Sequence, residues 1–178
     1  MMKSKTKKGL ILLLDFIFMV LLIALDQYTK HLAVINLKDR PAIPLIDGVF
    51  ELKYLENRGA AFGMLQNQKA FFVFVACIIL IAICYVLFKM PDKKKYSWLH
   101  LLLVLIASGA VGNMIDRIRM EYVVDFFYIV LINFPIFNVA DIYVSVSCVL
   151  LAWFILFYYT EQDFNFLSIR EKRVREID

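Results

Sequence analysis

Four apolar stretches, residues 9–25, 70–88, 98–115 and 142–160, constrain this chain more than any other feature. Each has 17–19 residues, interrupted only by Asp15 and His100. A helix needs about 20 residues to cross the hydrocarbon core of a bilayer. The apolar fraction is 62%, against roughly 45–50% in soluble domains. The pattern predicts an all-α integral membrane protein with four transmembrane helices, at approximately 9–34, 70–88, 98–116 and 138–160. The 178 residues suffice for one domain spanning 1–178.

Lys and Arg set the expected orientation. Lys3, Lys5, Lys7 and Lys8 precede the first span, Lys89, Lys93, Lys94 and Lys95 join the second to the third, and Arg170, Lys172, Arg173 and Arg175 lie in the tail. These flanks hold 12 of the 20 basic residues, so both termini, the linker 89–97 and the tail 161–178 are expected in the cytoplasm. Segments 35–69 and 117–137 then face outward. The first span resembles a secretory leader, but it ends in Asp26-Gln27-Tyr28-Thr29-Lys30 without a small-residue cleavage site, so an uncleaved helix is expected. The net charge of +4 suits an anionic inner leaflet, and nothing points to nucleic acid.

In the first outer segment, the turn signal Asp47-Gly48 is followed by partial apolar/polar alternation through Val49-Phe50-Glu51-Leu52-Lys53-Tyr54-Leu55. This predicts a strand within a small extracytoplasmic β-cradle. Pro135 should stop any helix before the fourth span. In the third span Ser108 and Gly112, with Ala107, Gly109 and Ala110 beside them, allow close helix contact. Cys77 and Cys84 share a helix face but lie too far apart for a disulfide, and with Cys148 they read as small packing residues.

The polar residues fall at one membrane face. Asp26 and Lys30 end the first span, Asn113, Asp116 and Arg117 close the third, and Asn138 and Asp141 open the fourth. Asn57, Arg58 and Asp125 lie in the outer segments between them. Asp26 and Lys30, one helical turn apart, could be a supporting ion pair. Asn138 could cap the fourth helix with Asp141 at its third position. Asp116 and Arg117 could be interfacial anchors. Asp125, flanked by Val123, Val124, Phe126 and Phe127, has no local partner. Asp15 should lie about 16 Å below Asp26 along the helix, snorkelling or pairing with a tail arginine.

Few chemistries remain open to this set. The only histidines are His31 and His100, and His100 belongs near the opposite face, which disfavours Ser-His-Asp, Cys-His and His-ligated zinc sites. Two carboxylates brought close cannot both ionise cheaply, so one keeps a proton while the other can take one from water. That is aspartic peptidase chemistry. A different reading is a small four-helix proton-coupled transporter relaying protons through Asp26, Asp125 and Asp141, although these acids cluster at one face and the second span has none.

The blocks Asp26-Gln27-Tyr28-Thr29-Lys30, Asn57-Arg58-Gly59-Ala60-Ala61-Phe62-Gly63, Gly112-Asn113-Met114-Ile115-Asp116-Arg117, Val123-Val124-Asp125-Phe126 and Phe137-Asn138-Val139-Ala140-Asp141 resemble, in order, those of the bacterial lipoprotein signal peptidases (signal peptidase II). The resemblance implies an enzyme of the bacterial cytoplasmic membrane that removes signal peptides from diacylglyceryl-modified prolipoproteins, on the amino side of the lipidated cysteine. It implies no cofactor and no metal, Asp125 and Asp141 as the catalytic pair, and inhibition by cyclic peptides such as globomycin. Asp116 would support the site, with Asn113 and Arg117 positioning substrate. Asp26, Lys30, Asn57, Gly59, Asn138 and Ala140 carry over as structural or substrate-contacting positions. Gly59, Ala60 and Ala61 would let the cradle lie against substrate backbone, and Phe62, Phe126 and Phe127 are expected to shield the aspartates and acyl chains.

Overall fold

All four apolar stretches fold as helices in the computed structural model, which describes residues 2–59 and 64–168. In chain order the elements are α1 (Met2–Leu37), β1 (Ile43–Ile46), β2 (Phe50–Asn57), α2 (Lys69–Lys89), α3 (Ser97–Met120), β3 (Val123–Ile129) and α4 (Val139–Phe157). Helix α1 runs three residues past the expected end of its span. Helix α4 stops short of residue 160, because Tyr159 turns its hydroxyl to the Lys95 carbonyl at 3.0 Å and its ring onto Tyr96.

Helix α3 is the axle of the bundle. Half of its apolar stretch is buried, against 6–11% in the other three helices, which are mostly exposed on the outside of the bundle. Small residues on α3 make this possible. A Cβ on Gly109 would lie 2.5 Å from the Ala140 carbonyl oxygen and 2.7 Å from Val144 Cγ2. One on Gly112 would lie 2.5 Å from Asp26 Oδ2. Glycine at these positions thus lets the α4 backbone and the α1 carboxylate approach the axis, as the small-residue pattern predicts. Gly109→Ala is expected to lower stability by about 1–3 kcal/mol despite alanine's better helix propensity, because the obstacle is backbone. Gly9→Ala, with open space around its Cβ, should leave the melting temperature unchanged or raise it; thermal unfolding in detergent compares the two.

The three strands form an antiparallel sheet in the order β1-β2-β3. Gly48, at φ +68°, supplies the left-handed residue in the turn between β1 and β2. Val124 and Phe126 of β3 are buried against Ala33 and Leu37, so the overhanging end of α1 carries the sheet. Alternation along the strand then sets Asp125 on the opposite side from that apolar contact. The strand around Asp125 is the element not foreseen: apolar flanks alone did not distinguish a loop from a third strand. The outcome is the expected four helices with a small sheet.

Two smaller expectations change. Asp15 pairs with His100 Nδ1 at 2.8 Å; the tail arginines lie outside the described residues. Cys77, Cys84 and Cys148 are free but exposed on the outer surface of the bundle, so they pack against none of its core.

Candidate active site

Lys30 organises the end of the bundle beneath the sheet. Its ammonium lies 2.9 Å from Asp26 Oδ2 and 2.9 Å from Asp116 Oδ2, and it donates to Asn113 Oδ1 at 2.8 Å. All three charged side chains are essentially buried, at 3%, 0% and 1% exposure. Both carboxylates also accept from backbone. Asp26 Oδ1 accepts from the Ala140 N–H at 2.9 Å, one of the unpaired donors at the start of α4. Asp116 Oδ2 accepts from the Val124 N–H at 3.3 Å, and its Oδ1 from Gln27 Nε2 at 2.8 Å. One ion cluster therefore ties α1 to α3, α4 and β3. The Asp26–Lys30 pair was expected, but its enlargement to Asp116 was not, and Asp116 is no interfacial anchor.

Asn138 joins the two remaining aspartates. It caps α4 through a reciprocal pair: Asn138 Oδ1 accepts from the Asp141 N–H at 3.0 Å, and Asp141 Oδ2 from the Asn138 N–H at 3.1 Å. Its side-chain amide donates to Asp125 Oδ1 at 2.6 Å. Asp125 Oδ2 accepts from Asn57 Nδ2 at 2.8 Å, and Asp141 Oδ1 from Asn113 Nδ2 at 2.8 Å. Lys30 and Asn138, whose Nδ2 also donates to Asn113 Oδ1 at 3.2 Å, together fix the orientation of the Asn113 amide: with Oδ1 held by both, Nδ2 must face Asp141.

The chain brings Asp125 to Asn138 by a return after β3. Phe137 bridges Phe127, with its N–H on the Phe127 carbonyl at 3.0 Å and its carbonyl accepting from Phe127 and Phe126. Asn138 follows immediately and so lies beside β3. Burial, and then the charge of nearby Asp141, push the Asp125 carboxyl up to about 7 against the donors Asn57 and Asn138. Asp125 is 1% exposed. Asp141 instead lines a groove of about 390 Å³ with Asn57, Gly59, Arg117, Phe134 and Phe137. Arg117 spans that groove's edge, donating to the Gly59 carbonyl at 3.0 Å and resting 4.4 Å over the Phe72 ring. Among the described residues, no three of His, Cys, Asp and Glu come together as a metal would require.

Residues 18–157 match the family model described as signal peptidase (SPase) II. The chain belongs to the signal peptidase II family. A lipoprotein signal peptidase of Streptococcus thermophilus (strain CNRZ 1066) is 49% identical over 130 residues, 73% of this chain and 84% of that protein. One of Clostridioides difficile (strain 630) is 43% identical over 146 residues, 82% of this chain and 97% of that protein. A solved structure described as a bacterial membrane enzyme superimposes with a TM-score of 0.73 at 30% identity, covering 80% of this chain and 87% of its own. The protein is accordingly a multi-pass membrane peptidase by family and by its four apolar helices.

Within this signal peptidase II chain, all eleven residues singled out from the sequence join one hydrogen-bonded assembly. Asp26, Lys30, Asn57, Gly59, Asn113, Asp116, Arg117, Asp125, Asn138, Ala140 and Asp141 each make at least one of the contacts above. Gly59 contributes backbone: its N–H donates to Asn57 Oδ1 at 3.0 Å. Ala60, Ala61 and Phe62 lie outside the described residues. Phe126 does not shield the aspartates, since it is buried toward α1, and Phe127 lines a separate apolar groove with Leu32, Ile43 and Leu52. The aromatics beside Asp141 are Phe134 and Phe137. Gln27 was also missed. It reaches Asp26, Asp116 and the Gly112 carbonyl, and only its place within the Asp26–Lys30 block could have signalled this.

Proposed function

We propose that this protein is an aspartic endopeptidase that removes signal peptides from diacylglyceryl-modified prolipoproteins, cutting on the amino side of the lipidated cysteine. The observation that carries the reading is the pair of carboxylates, Asp125 and Asp141, held on one asparagine, with Asp141 lining a groove. Family membership supplies the substrate: its relatives are lipoprotein signal peptidases. The shared proton rests on Asp125, whose carboxyl is raised to about 7. Asp141, facing the groove, accepts a proton from the attacking water while Asp125 donates toward the scissile carbonyl. Asn113, Asn138 and Asn57 hold the two acids, Arg117 and Gly59 shape the groove edge for substrate backbone, and Asp26, Lys30, Asp116 and Ala140 brace the frame. No cofactor enters this chemistry.

The single domain, residues 1–178, lies in the bacterial cytoplasmic membrane with both termini inside and the aspartates near the outer face. The distribution of Lys and Arg supports this orientation. A lipidated helix moving sideways in the bilayer meets a groove there where water is close. The carrier reading has no comparable support, since the acids form one cluster and the relatives are peptidases.

The purified protein should release the signal peptide from a diacylglyceryl-modified preprolipoprotein, and globomycin should block release by occupying the same groove. Failure to cleave the lipidated precursor in either detergent or liposomes would overturn the proposal. The pH profile gives a further expectation. Asp125 is active as the acid, so raising pH through about 7 removes its proton and leaves two anions side by side. The rate constant kcat/KM should fall by about tenfold per pH unit above that point. A rate that instead rises between pH 7 and 9 would show that Asp125 does not act as the acid.

A further inference from the structure

At the opposite end of the bundle from the aspartates, a cavity of about 440 Å³ opens where the start of α1, the α2–α3 connection and the start of α3 meet. Its rim is basic: Lys7, Lys93 and Lys94 line it together with Asp92. Lys7 is taken by Asp92 at 3.2 Å, and Asp15 in the cavity is taken by His100 at 2.8 Å. Both acids thus have partners, whereas among the described residues Lys93 and Lys94 have no anion of their own. Below the rim the wall turns apolar, with Ile11, Leu14 and Leu101 on the membrane-spanning parts of α1 and α3. Cation above and hydrocarbon below, at the end of two spans, is the polarity of an anionic amphiphile lying in a leaflet.

We propose that this cavity is a binding site for one anionic phospholipid, with its phosphate on Lys93 and Lys94 and the start of an acyl chain along Leu14 and Leu101. The Ser97 hydroxyl and the His100 ring, which also line the cavity, are in position to donate to the headgroup. Helix α1 runs from this site to the Lys30 cluster, but occupancy requires nothing of the peptidase chemistry. The site therefore stands or falls independently of the proposed reaction.

Native mass spectrometry of the full chain, released from detergent with phosphatidylglycerol or with phosphatidylcholine, tests this. One phosphatidylglycerol should be retained in preference to phosphatidylcholine. The double variant Lys93→Gln/Lys94→Gln should weaken that binding about 30-fold, at roughly the contribution expected of two lysines near an anionic surface. Because both lysines are exposed and have no anion among the described residues, the variant's melting temperature without lipid should match the parent's. Leu14→Trp, which crowds the apolar wall and leaves charge unchanged, should also weaken binding several-fold, roughly as loss of a few buried methylenes would. Lys53→Gln, on β2 at the other end, should have no effect. Equal retention of the two lipids, or unchanged binding in the double variant, overturns the site. Displacement by soluble glycerol 3-phosphate at concentrations comparable to the lipid, or indifference to Leu14→Trp, would mean that the lysines attract phosphate without a lipid site, and would equally overturn it.

Discussion

Asp141→Asn and Asp125→Asn are each expected to lower turnover of a lipidated precursor by at least about 10⁴-fold, the scale seen when one member of a catalytic unit is removed. The chemical reason differs between the two. Asparagine at 141 keeps its place in the groove but has no basic oxygen to take a proton from water. Asparagine at 125 cannot deliver a proton to the scissile carbonyl. Stability separates these effects from misfolding. The folded-state pKa of Asp125 is raised to about 7, so the folded protein favours the protonated form. The stability Asp125 contributes is then fully present below the ordinary carboxylate range and is lost as pH rises toward 7. At pH 8 the wild type carries a buried charge there that Asp125→Asn lacks. The variant gives up one donor contact, from Asn57 or Asn138, and gains relief from that charge. Its melting temperature at pH 8 should therefore stay close to wild type while turnover disappears. Asp116→Asn should retain measurable turnover, because Asp116 reaches the pair only through Lys30 and the backbone of β3. Turnover within tenfold of wild type in either Asp125→Asn or Asp141→Asn would remove that residue from the chemistry.

How much of this could be read from the chain depends on the range of each interaction. The spans were legible because hydrophobicity is summed over some twenty neighbouring residues and the bilayer fixes the length. The Asn138–Asp141 cap was legible because it closes within four residues. Asp26–Lys30 was half legible: the i, i+4 spacing gave the pair, but Asp116 comes from a helix some 86 residues on, which Asp26 approaches through the notch at Gly112. Strand β3 was not legible, because Val123, Val124, Phe126 and Phe127 look alike as lipid anchors or as a buried strand. Only the overhang of α1, with Ala33 and Leu37, decides that Val124 and Phe126 turn inward. The expectation for Phe126 failed for that same reason: adjacency in sequence to Asp125 places it on the opposite face of a strand. His100 was correctly set at the far end of α3, yet its partner Asp15 was not foreseen, since nothing local aligns two helices in register.

Lys30→Met should destabilise the protein by about 3–5 kcal/mol, the cost of breaking a buried charge pair by removing one partner. Lys30 is the only cation within reach of Asp26 and Asp116 among the described contacts, and both carboxylates are buried. Their backbone partners, Ala140 and Val124, lie on α4 and β3, the elements that also carry Asp141 and Asp125. Unbalanced charge at Asp26 would therefore push on the start of α4, and loss of the ammonium would leave Asn113 Oδ1 with only the 3.2 Å bond from Asn138, loosening the amide that donates to Asp141. At roughly 2–4 °C per kcal/mol for a chain of this size, the melting temperature should drop by about 6–20 °C. The triple variant Asp26→Asn/Lys30→Met/Asp116→Asn removes all three charges together. It should recover much of the stability, because a buried ion cluster replaced as a unit is often near neutral. It should not recover turnover, because the Asn113 amide that donates to Asp141 is still without its shorter anchor at Lys30. A single variant melting within about 2 °C of wild type would show that the cluster is not a closed, water-excluded one. A triple variant that regained turnover with stability would show that Lys30 acts on the aspartates only by holding the helices together, and not through the Asn113 amide.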